Sequence, residues 1–357
     1  MSSQISINDR EIGAGSPCYV IAEMSANHNQ NFEQAIRIIH AAKECGADAI
    51  KLQTYTPDTI TIECDRPEFR VGGGTLWDGK TLYELYGEAY TPWDWQPKLK
   101  TEADRIGIDL FSTPFDFSAV ELLESMNVPA YKIASFEIVD FPLIERVAKT
   151  DKPIIMSTGM CTETEVEEAL QVARAAGARD IVLLKCTSEY PAPPEHMNLR
   201  TIPWMQERFQ VPVGLSDHTL GIAAPVAAVA LGACVVEKHF TVSRSDRGPD
   251  SAFSLEPAEF KVMVDAIRVA EKALGKPALE SRPEENKSRV FRRSLFVVKD
   301  IKAGERFTAD NIRSIRPGYG LHTRHLQSIL NQVAATDIAR GTPMKWEFVV
   351  KDSSSDK

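Results

Sequence analysis

Two histidines at the ends of apolar stretches are the residues of this sequence best suited to hold a metal ion. His218 follows "VPVGLSD" (211–217), and His239 lies near the end of "ACVVEKHF" (233–240). If the two stretches are adjacent strands, about 5 Å apart, both imidazoles can reach one ion. Two imidazoles leave positions for water and a substrate oxygen. The pair therefore predicts an open divalent site that polarises a carbonyl group, although a lone histidine is more often a structural residue.

Two acidic residues precede these histidines, and the sequence leaves two roles open for them. Asp217 and Glu237 could accept hydrogen bonds from the imidazoles and orient them. They could equally form ordinary ion pairs with nearby lysines such as Lys238, because buried charges need partners.

Eight short apolar stretches alternate with amphipathic helical patterns, which predicts parallel βαβ units. Eight strands in about 240 residues match the usual size of a (β/α)8 TIM barrel. A doubly wound open sheet is the alternative, but the near-even spacing favours closure. The predicted strands span 18–24, 47–54, 108–113, 130–135, 153–158, 180–187, 211–217 and 233–240.

Each predicted strand becomes polar at its carboxyl end, where barrels of this class carry their chemistry. Converging lysines and hydroxyl groups would suit an anion with phosphate and carboxylate groups. A single serine there could equally be a helix cap. The polar residues at these ends are Glu23, Lys51, Gln53, Ser112, Thr113, Lys132, Ser135, Ser157, Lys185, Ser216, Asp217, His218, Glu237, Lys238 and His239.

The chain divides into two folded parts after a long helical pattern that ends near Gly275. A charged, proline-containing stretch follows and is typical of a linker. We predict a barrel over 1–275, a linker over 276–289, a small domain of mainly short strands over 290–350 and a disordered tail over 351–357.

Composition argues against two classes of protein, nucleic-acid binders and membrane-spanning proteins. The net charge of −9 argues against a general nucleic-acid binder, and no stretch is apolar enough to cross a membrane. No signal peptide is visible at the start, and the six cysteines include no CxxC pair. We expect a cytoplasmic protein with reduced thiols.

The segment "GTLWDGKT" (74–81) matches the P-loop pattern but lacks the buried strand that precedes a true P-loop. It lies in a long segment from Pro57 to Thr91, which we expect to be a loop without regular structure. The aromatic residues of this loop could cover a ligand or pack onto the barrel. They are Trp77, Tyr83, Tyr86 and Tyr90.

Three further residues have local interpretations. Cys186 is interpreted as a small core residue, because no histidine is its obvious partner. Ser254 is a plausible cap for the helix that follows it. Asp250 lies in the loop after the eighth strand and is a candidate contact to substrate hydroxyl or amide groups.

Several motifs resemble the sialic acid synthase family, whose members condense phosphoenolpyruvate with an amino sugar to give a nine-carbon α-keto acid. The resemblance preserves motif order over nearly the whole chain, and "SIRPGYG" resembles the family's antifreeze-like (SAF) domain. "GGGTLWDGKTLYELYGEAYTP" and "GPDSAFSLEP" are most similar to the branch that makes pseudaminic acid. The other motifs are "IAEMSANH", "AIKLQTYTPD", "STPFD", "YKIASFE", "STGM", "LLKCTSEYP", "GLSDHT" and "EKHF".

The resemblance implies roles for individual residues. His218 and His239 would bind a divalent metal, most often Mn²⁺, with Mg²⁺ or Co²⁺ as alternatives. Glu23 would manage a water or substrate proton, and Arg316 would enter the site from the partner subunit of a domain-swapped homodimer. Lys185 and Ser188 depart from the pattern of the sialic acid branch. Phosphoenolpyruvate would be held by Lys51, Gln53, Thr113, Lys132, Ser135, Ser157 and Ser216, and the sugar would be contacted by Glu137, Tyr190 and Asp250.

Two other functions compete with a metal-assisted condensation. A Schiff-base aldolase would use Lys132 or Lys185 and would be indifferent to chelators. A non-catalytic carbohydrate- or ice-binding protein would use the barrel as a scaffold and would need neither histidine.

Overall fold

The computed structural model describes residues 4–72, 74, 77–280 and 282–350 of the chain. Two compact units are present, Met1–Gly275 and Lys276–Lys357. The tail expected over 351–357 lies outside the described residues. Within the described part of the chain, no helix combines the length and the apolar character needed to cross a membrane.

The first unit is a closed barrel of eight parallel strands, preceded by an antiparallel hairpin of β1 (Ile5–Ile7) and β2 (Arg10–Ile12). Each barrel strand pairs with the next along the chain, and the last pairs with the first. The predicted (β/α)8 barrel is thus confirmed, and the open sheet is excluded. The barrel strands are β3 (Tyr19–Glu23), β4 (Ala49–Thr54), β5 (Asp109–Pro114), β6 (Tyr131–Ile133), β7 (Ile154–Ser157), β8 (Ile181–Cys186), β9 (Val213–Asp217) and β10 (Val235–His239).

Helices connect the strands, and local signals set their limits. Asn31 caps the first helix by accepting from the Gln34 N–H, and Gly46 and Gly177 adopt positive φ just beyond two helices, as the sequence predicts. The helices of this unit are α1 (Phe32–Glu44), α2 (Pro57–Ile60), α3 (Leu82–Ala89), α4 (Gln96–Ile106), α5 (Phe117–Ser125), α6 (Phe141–Ala148), α7 (Glu163–Ala175), α8 (Thr201–Phe209), α9 (Ala223–Ala230) and α10 (Pro257–Leu274). Single 3₁₀ turns lie at Ser25–His28, Pro67–Phe69, Pro194–His196, Arg244–Asp246 and Ser251–Phe253.

The segment 57–91 differs from the loop expected for it, because it contains α2 and α3. A capping box starts α3: the Thr81 hydroxyl accepts from the Glu84 N–H, and the Glu84 carboxylate accepts from the Thr81 N–H. Lys80, the lysine of the P-loop pattern, pairs with Glu88. We refer to residues 57–91 as the insertion.

The hairpin closes the amino-terminal end of the barrel. Ile7 and Ile12 are fully buried against the barrel interior. Around them the polar groups are paired: Arg10 and Arg268 both contact the Asp48 carboxylate, and the Tyr19 hydroxyl donates to Asp109.

Ser254 does not cap α10, contrary to expectation. Glu256 is the N-cap residue of α10, and its partner in the capping box is Glu259. The Ser254 hydroxyl instead donates to the Asp250 carbonyl and accepts from the Asn27 amide.

The second unit pairs β11 (Ser294–Val297) with β12 (Ile312–Ile315) in an antiparallel sheet. Leu295, Phe307 and Met344 are buried in a separate apolar core. Residues expected to form the linker are partly helical, because Pro283 starts a helix at its first position. The remaining helices are α11 (Pro283–Asn286) and α12 (Leu326–Ile329), with 3₁₀ turns at Lys287–Phe291, Thr323–His325 and Trp346–Phe348.

Candidate active site

The carboxyl ends of the barrel strands bring a buried lysine between two carboxylates. Lys51 Nζ lies 2.7 Å from Glu23 Oε2 and 3.7 Å from Glu237 Oε1, and it donates to Thr113 Oγ1 at 3.3 Å. Register explains the first contact, since Glu23 of β3 pairs with Lys51 of β4. The flanking carboxylates outweigh burial and raise the pKa of Lys51, so this lysine remains a cation.

A second buried lysine lies across the barrel on the same inner face. Lys132 Nζ donates to Ser157 Oγ at 2.7 Å and lies 3.9 Å from Glu237 Oε1. The Ser216 hydroxyl contacts the same carboxylate oxygen at 3.4 Å. Burial lowers the pKa of Lys132, and the Glu237 charge only partly opposes this. The inner face therefore has two lysines beside Glu237, one of which also contacts Glu23, and both amines could pair with an anionic ligand.

Several buried polar atoms around these lysines have no hydrogen-bond partner. Native proteins pair nearly all buried polar groups, so orphaned atoms gathered in one place indicate a ligand site. Glu23 Oε2 is close to Lys51 but lacks hydrogen-bond alignment with it. The orphaned atoms among the described residues are Glu23 Oε2, Glu137 Oε2, Glu237 Oε2 and His239 Nδ1.

Burial gives the Glu23 carboxyl an unusual affinity for protons. Desolvation raises the pKa of Glu23 to about 7, against the attraction of Lys51 and with help from the Glu237 charge. The pKa of Glu237 is lowered, because two lysines outweigh its burial. Two carboxyl groups with opposite shifts can divide acid–base roles.

The two histidines lie together, as the sequence predicts. Their ring centroids are 5.5 Å apart. His218 Nδ1 donates to the Thr187 carbonyl at 2.8 Å, so the neutral ring carries its lone pair on Nε2. Burial and the neighbouring His218 hold the pKa of His239 well below its usual value, and its Nδ1 has no partner.

This donor set fits a divalent metal ion. Each imidazole has a lone pair when it is neutral, which is the form that ligates metals. Burial disfavours the charged form of His218, but Cys186 and the Thr187 carbonyl outweigh it and raise the pKa of His218, so an ion would bind there in competition with a proton. Across residues 4–72, 74, 77–280 and 282–350, no group of three or more His, Cys, Asp or Glu side chains has a metal-binding arrangement. The remaining ligands would therefore come from substrate and water, as in an open site.

Asp217 and Glu237 do not orient the imidazoles, so that hypothesis is wrong. Asp217 lies 2.5 Å from Lys238 on the outer face of the barrel, where both side chains are fully buried. Glu237 pairs with the inner lysines. The backbone carbonyl of Thr187 orients His218 instead.

Lys185 lies on the opposite face of β8 from the rest of the cluster, contrary to expectation. Cys186 pairs in register with the inward Ser216, and adjacent residues of a strand alternate between faces. Lys185 Nζ accordingly donates to Thr187 Oγ1 at 2.6 Å, and its side chain lines a cavity of about 360 Å³ beside α8 that includes Trp204. Ser112 is also outward, bonded to Thr54 at 2.6 Å.

Cys186 does have a histidine neighbour, which sequence reasoning missed because the two residues lie on different strands. Its Sγ lies 3.9 Å from His218 Nδ1. Burial raises the pKa of Cys186, but His218 and the Ser135 hydroxyl outweigh it and lower that pKa to about 7. Ser135 also accepts from the Gly159 N–H at 3.0 Å.

Ser25 is a site residue that sequence reasoning did not single out. Its hydroxyl donates to Asp250 and accepts from Gln53 Nε2 at 2.9 Å. Gln53 Nε2 also lies 3.1 Å from Glu23 Oε1. The Ser25 backbone has a φ of 45° directly after β3, in a turn that aims the short side chain into the site. The polar run "SANH" after an apolar strand was the available signal.

Tyr190 and Glu137, which were assigned to the sugar, belong to the barrel unit, whereas Arg316 belongs to the second unit. The Tyr190 ring packs against His218 with 4.3 Å between centroids, and Glu137 is half-buried. Burial raises the pKa of Glu137 to about 7. Arg316 lies in the second unit, exposed and directly after β12.

Comparison with known proteins identifies the family. The NeuB family matches residues 38–278, and the SAF domain matches residues 292–350. A pseudaminic acid synthase of Campylobacter jejuni is 48% identical over 92% of this chain and 95% of its own length. An N,N'-diacetyllegionaminic acid synthase of Legionella pneumophila is 35% identical over 94% of this chain and 96% of its own length.

A solved structure agrees with these matches. The crystal structure of an N-acetylneuraminic acid synthetase from Leptospira borgpetersenii, in complex with citrate, aligns with a TM-score of 0.72 and 31% identity. The alignment covers 81% of this chain and 95% of that chain. The family resemblance drawn from the motifs is confirmed: the chain belongs to the NeuB family and carries a SAF domain in its C-terminal unit.

Proposed function

We propose that this protein condenses phosphoenolpyruvate with an amino-sugar aldehyde and water, giving pseudaminic acid and phosphate. The observation that carries the proposal is the inner cluster itself, in which two buried lysines and two imidazoles meet orphaned carboxylate oxygens. The 48% identity to a pseudaminic acid synthase, against 35% to a legionaminic acid synthase, favours this acceptor class. The acceptor is then 2,4-diacetamido-2,4,6-trideoxy-L-altrose.

Lys51 and Lys132 bind the phosphate and carboxylate groups of phosphoenolpyruvate. Each amine already contacts a hydroxyl group, Thr113 and Ser157 respectively, and these hydroxyls can rotate to donate to an anion. An anion that binds there also gives each lysine a further negatively charged partner besides Glu237. Gln53, Ser135 and Ser216 complete the proposed set.

His218 and His239 would hold a divalent ion, which the family resemblance gives as Mn²⁺ with Mg²⁺ or Co²⁺ as alternatives. The ion supplies Lewis acidity to the acceptor aldehyde. A bond forms between C3 of phosphoenolpyruvate and the aldehyde carbon, and water adds at C2. The proton that this water loses goes to the former aldehyde oxygen, and the C2–O bond to phosphate breaks to leave the keto group.

Glu23 manages the proton of the attacking water. Its pKa of about 7 lets it take that proton near neutral pH and release it afterwards. Gln53, which donates to Glu23 Oε1, keeps the carboxyl facing the site. Much of the acceleration comes from holding two substrates together in one enclosed place.

Purified protein tests the reaction directly. Phosphate release and product mass are measured with phosphoenolpyruvate and either the altrose derivative or N-acetylmannosamine. We expect turnover with the former and loss of turnover on chelation. Turnover of N-acetylmannosamine alone would refute the assignment, and a borohydride-trapped lysine adduct would support the aldolase.

Two lysines from neighbouring parts of the barrel give a matched control. Lys132→Met removes an inward amine and should abolish turnover. Lys185→Met removes an outward amine of the same kind and should leave turnover within about threefold, since it touches no proposed substrate group. Equal losses in both variants would contradict the placement of the phosphoenolpyruvate site.

We also propose that the protein works as a cytoplasmic homodimer in which Arg316 serves the partner's barrel, as the family resemblance implies. Mixing inactive Arg316→Ala and His239→Ala chains under exchange conditions tests this. An arginine acting in trans restores about a quarter to a half of the activity in mixed dimers, because one complete site re-forms. No recovery, with exchange confirmed by a tagged chain, would show that Arg316 acts within its own subunit.

A further inference from the structure

Trp77 extends the candidate site beyond the barrel strands. It lies in the insertion between β4 and α4, and its indole Nε1 donates to the Pro249 carbonyl at 3.1 Å. Pro249 directly precedes Asp250, whose carboxylate accepts from Ser25 inside the site. The insertion is thereby attached to the loop that follows β10. Trp77 is one of the four aromatic residues considered for a lid.

Three aromatic rings form a continuous surface from Trp77 to the imidazoles. Trp77 lies 5.9 Å from Tyr190 between ring centroids, and Tyr190 lies 4.3 Å from His218. Phe253 supports this arrangement from behind, 5.3 Å from Tyr190 and 1% exposed. We call Trp77, Tyr190 and Phe253 the aromatic wall. The aromatic wall differs from the lysine cluster in chemical character, since it offers apolar surface rather than charge.

Trp77 and Phe253 have little capacity to satisfy a hydroxyl group, and the hydrogen-bonding group that remains in the aromatic wall is the phenol of Tyr190. The indole N–H of Trp77 is already used on the Pro249 carbonyl, and an indole has no acceptor nitrogen. Phe253 has no polar atom. A substrate hydroxyl placed against the indole face of Trp77 would lose its water without gaining a partner from that ring, whereas a methyl group would gain from burial.

We propose that Trp77 is a specificity-determining residue, which packs with Tyr190 against the C6 methyl of a 6-deoxy acceptor sugar and disfavours a 6-hydroxymethyl group. This rests on the proposed function. The aldehyde end of the acceptor lies at the imidazoles, and Trp77 lies one ring further out, where the other end of an extended six-carbon chain arrives. An apolar surface discriminates against an added hydroxyl by about 10²-fold at most.

The test compares two acceptors that differ only at C6, the 6-deoxy sugar and its 6-hydroxy analogue, by the ratio of their kcat/KM values. Wild type should prefer the 6-deoxy sugar by about 10- to 100-fold. Trp77→Ala should reduce that preference at least fivefold, mainly through a higher KM for the 6-deoxy sugar. Trp77→Phe keeps an aromatic face without the N–H and should retain most of the preference.

Tyr83→Phe is the matched control on the same insertion. Its hydroxyl donates to Asp58 within the insertion, away from the aromatic wall, so the ratio should not change. If Trp77→Ala lowers both kcat/KM values equally, Trp77 only attaches the insertion to the Pro249 loop and the proposal is overturned. Failure of wild type to use the 6-deoxy sugar would instead refute the proposed function.

Tryptophan fluorescence gives a readout that needs no turnover. Titrating the 6-deoxy sugar without phosphoenolpyruvate should change the emission of wild type, and that change should be absent in Trp77→Phe. An unchanged titration signal in Trp77→Phe would place the sugar beside another of the five tryptophans and overturn the proposal.

Discussion

The two ends of the barrel are built from the same strands but treat their polar groups in opposite ways. At the amino-terminal end, Asp48 contacts Arg10, Arg268 and the Val20 N–H, so its carboxylate is satisfied. At the carboxyl-terminal end, Glu237 and His239 each keep a buried atom without a hydrogen-bond partner. The polar groups of the amino-terminal end are satisfied within the protein, and those of the carboxyl-terminal end are satisfied only when ligands bind.

The amino-terminal end of the barrel therefore contributes to stability, and the carboxyl-terminal end contributes to function. Satisfied buried groups stabilise the native state, and removing one partner leaves the other exposed to a desolvation penalty. Orphaned buried groups lower the stability of the ligand-free protein and are retained for what they bind. Substitutions at the two ends should therefore have opposite effects on unfolding and turnover.

The largest expected effect is at His239. Replacing it with alanine should lower kcat by at least about 10³-fold, because an electrophile-binding group is lost. Its Nδ1 lacks a partner and burial disfavours its charge, so the free energy of unfolding should stay level or rise. Phosphate release and urea denaturation in the presence of a chelator measure the two quantities.

His28 is the matched control for that substitution. It is fully buried, but its Nδ1 accepts from the Gln30 N–H and its Nε2 bonds to Thr91, each at 3.1 Å. His28→Ala should destabilise the protein by about 2 kcal/mol. A larger loss of stability in His239→Ala than in His28→Ala would contradict the distinction between a buried histidine without a partner for its Nδ1 and one whose two ring nitrogens are both paired.

An intermediate effect is expected from Glu137 and depends on pH. Burial raises its pKa to about 7 from an ordinary 4.5, so the folded state binds the proton more tightly than the unfolded chain. Its contribution to stability is full below pH 4.5 and is lost as pH rises through 7. Urea denaturation of ligand-free wild type at pH 5 and pH 8 should show a loss of about 2–3 kcal/mol from this group.

Glu137→Gln should remove that loss, since glutamine does not titrate. The exposed Glu145, which pairs with Lys149 on α6, provides the control, and Glu145→Gln should leave the pH dependence unchanged. The same pH profile in wild type and Glu137→Gln would show that the carboxyl group of Glu137 is not the cause.

The smallest expected effect is at the closed end. Asp48→Ala leaves the buried Val20 N–H and two arginines without their acceptor, so stability should fall by about 2 kcal/mol. Turnover per folded molecule should not change, because the residue lies at the other end of the strands from the site. A tenfold loss of turnover at unchanged stability would show that the two ends are coupled.

Periodicity in the sequence was sufficient to predict the barrel but not the direction of every side chain. All eight strands lie where the alternating pattern places them, because buried β-branched runs and helix stops are local signals. Lys132 and Lys185 illustrate the limit. Both follow apolar residues near strand ends, yet a shift of one residue in register turns a side chain from the interior to the helices. Only the pairing of Cys186 with Ser216 decides it.

Contacts between distant segments account for the remaining misses. Cys186 meets His218 although the two residues are 32 positions apart in the sequence. The ion pair of Asp217 with Lys238 was one of two roles left open for that carboxylate, and only the packing of β9 against β10 decides between them. Trp77 reaches the site because an insertion folds back onto Pro249. Such contacts depend on tertiary packing, which overrides local propensity.

The hairpin of β1 and β2 also leaves the barrel with a single entrance. Ile7 and Ile12 are fully buried there in the barrel core, so apolar side chains close that end. Released phosphate and the nine-carbon acid must therefore depart by the route along which fresh substrates arrive. Bound product then blocks both incoming substrates, so a new turnover begins only after the product has left.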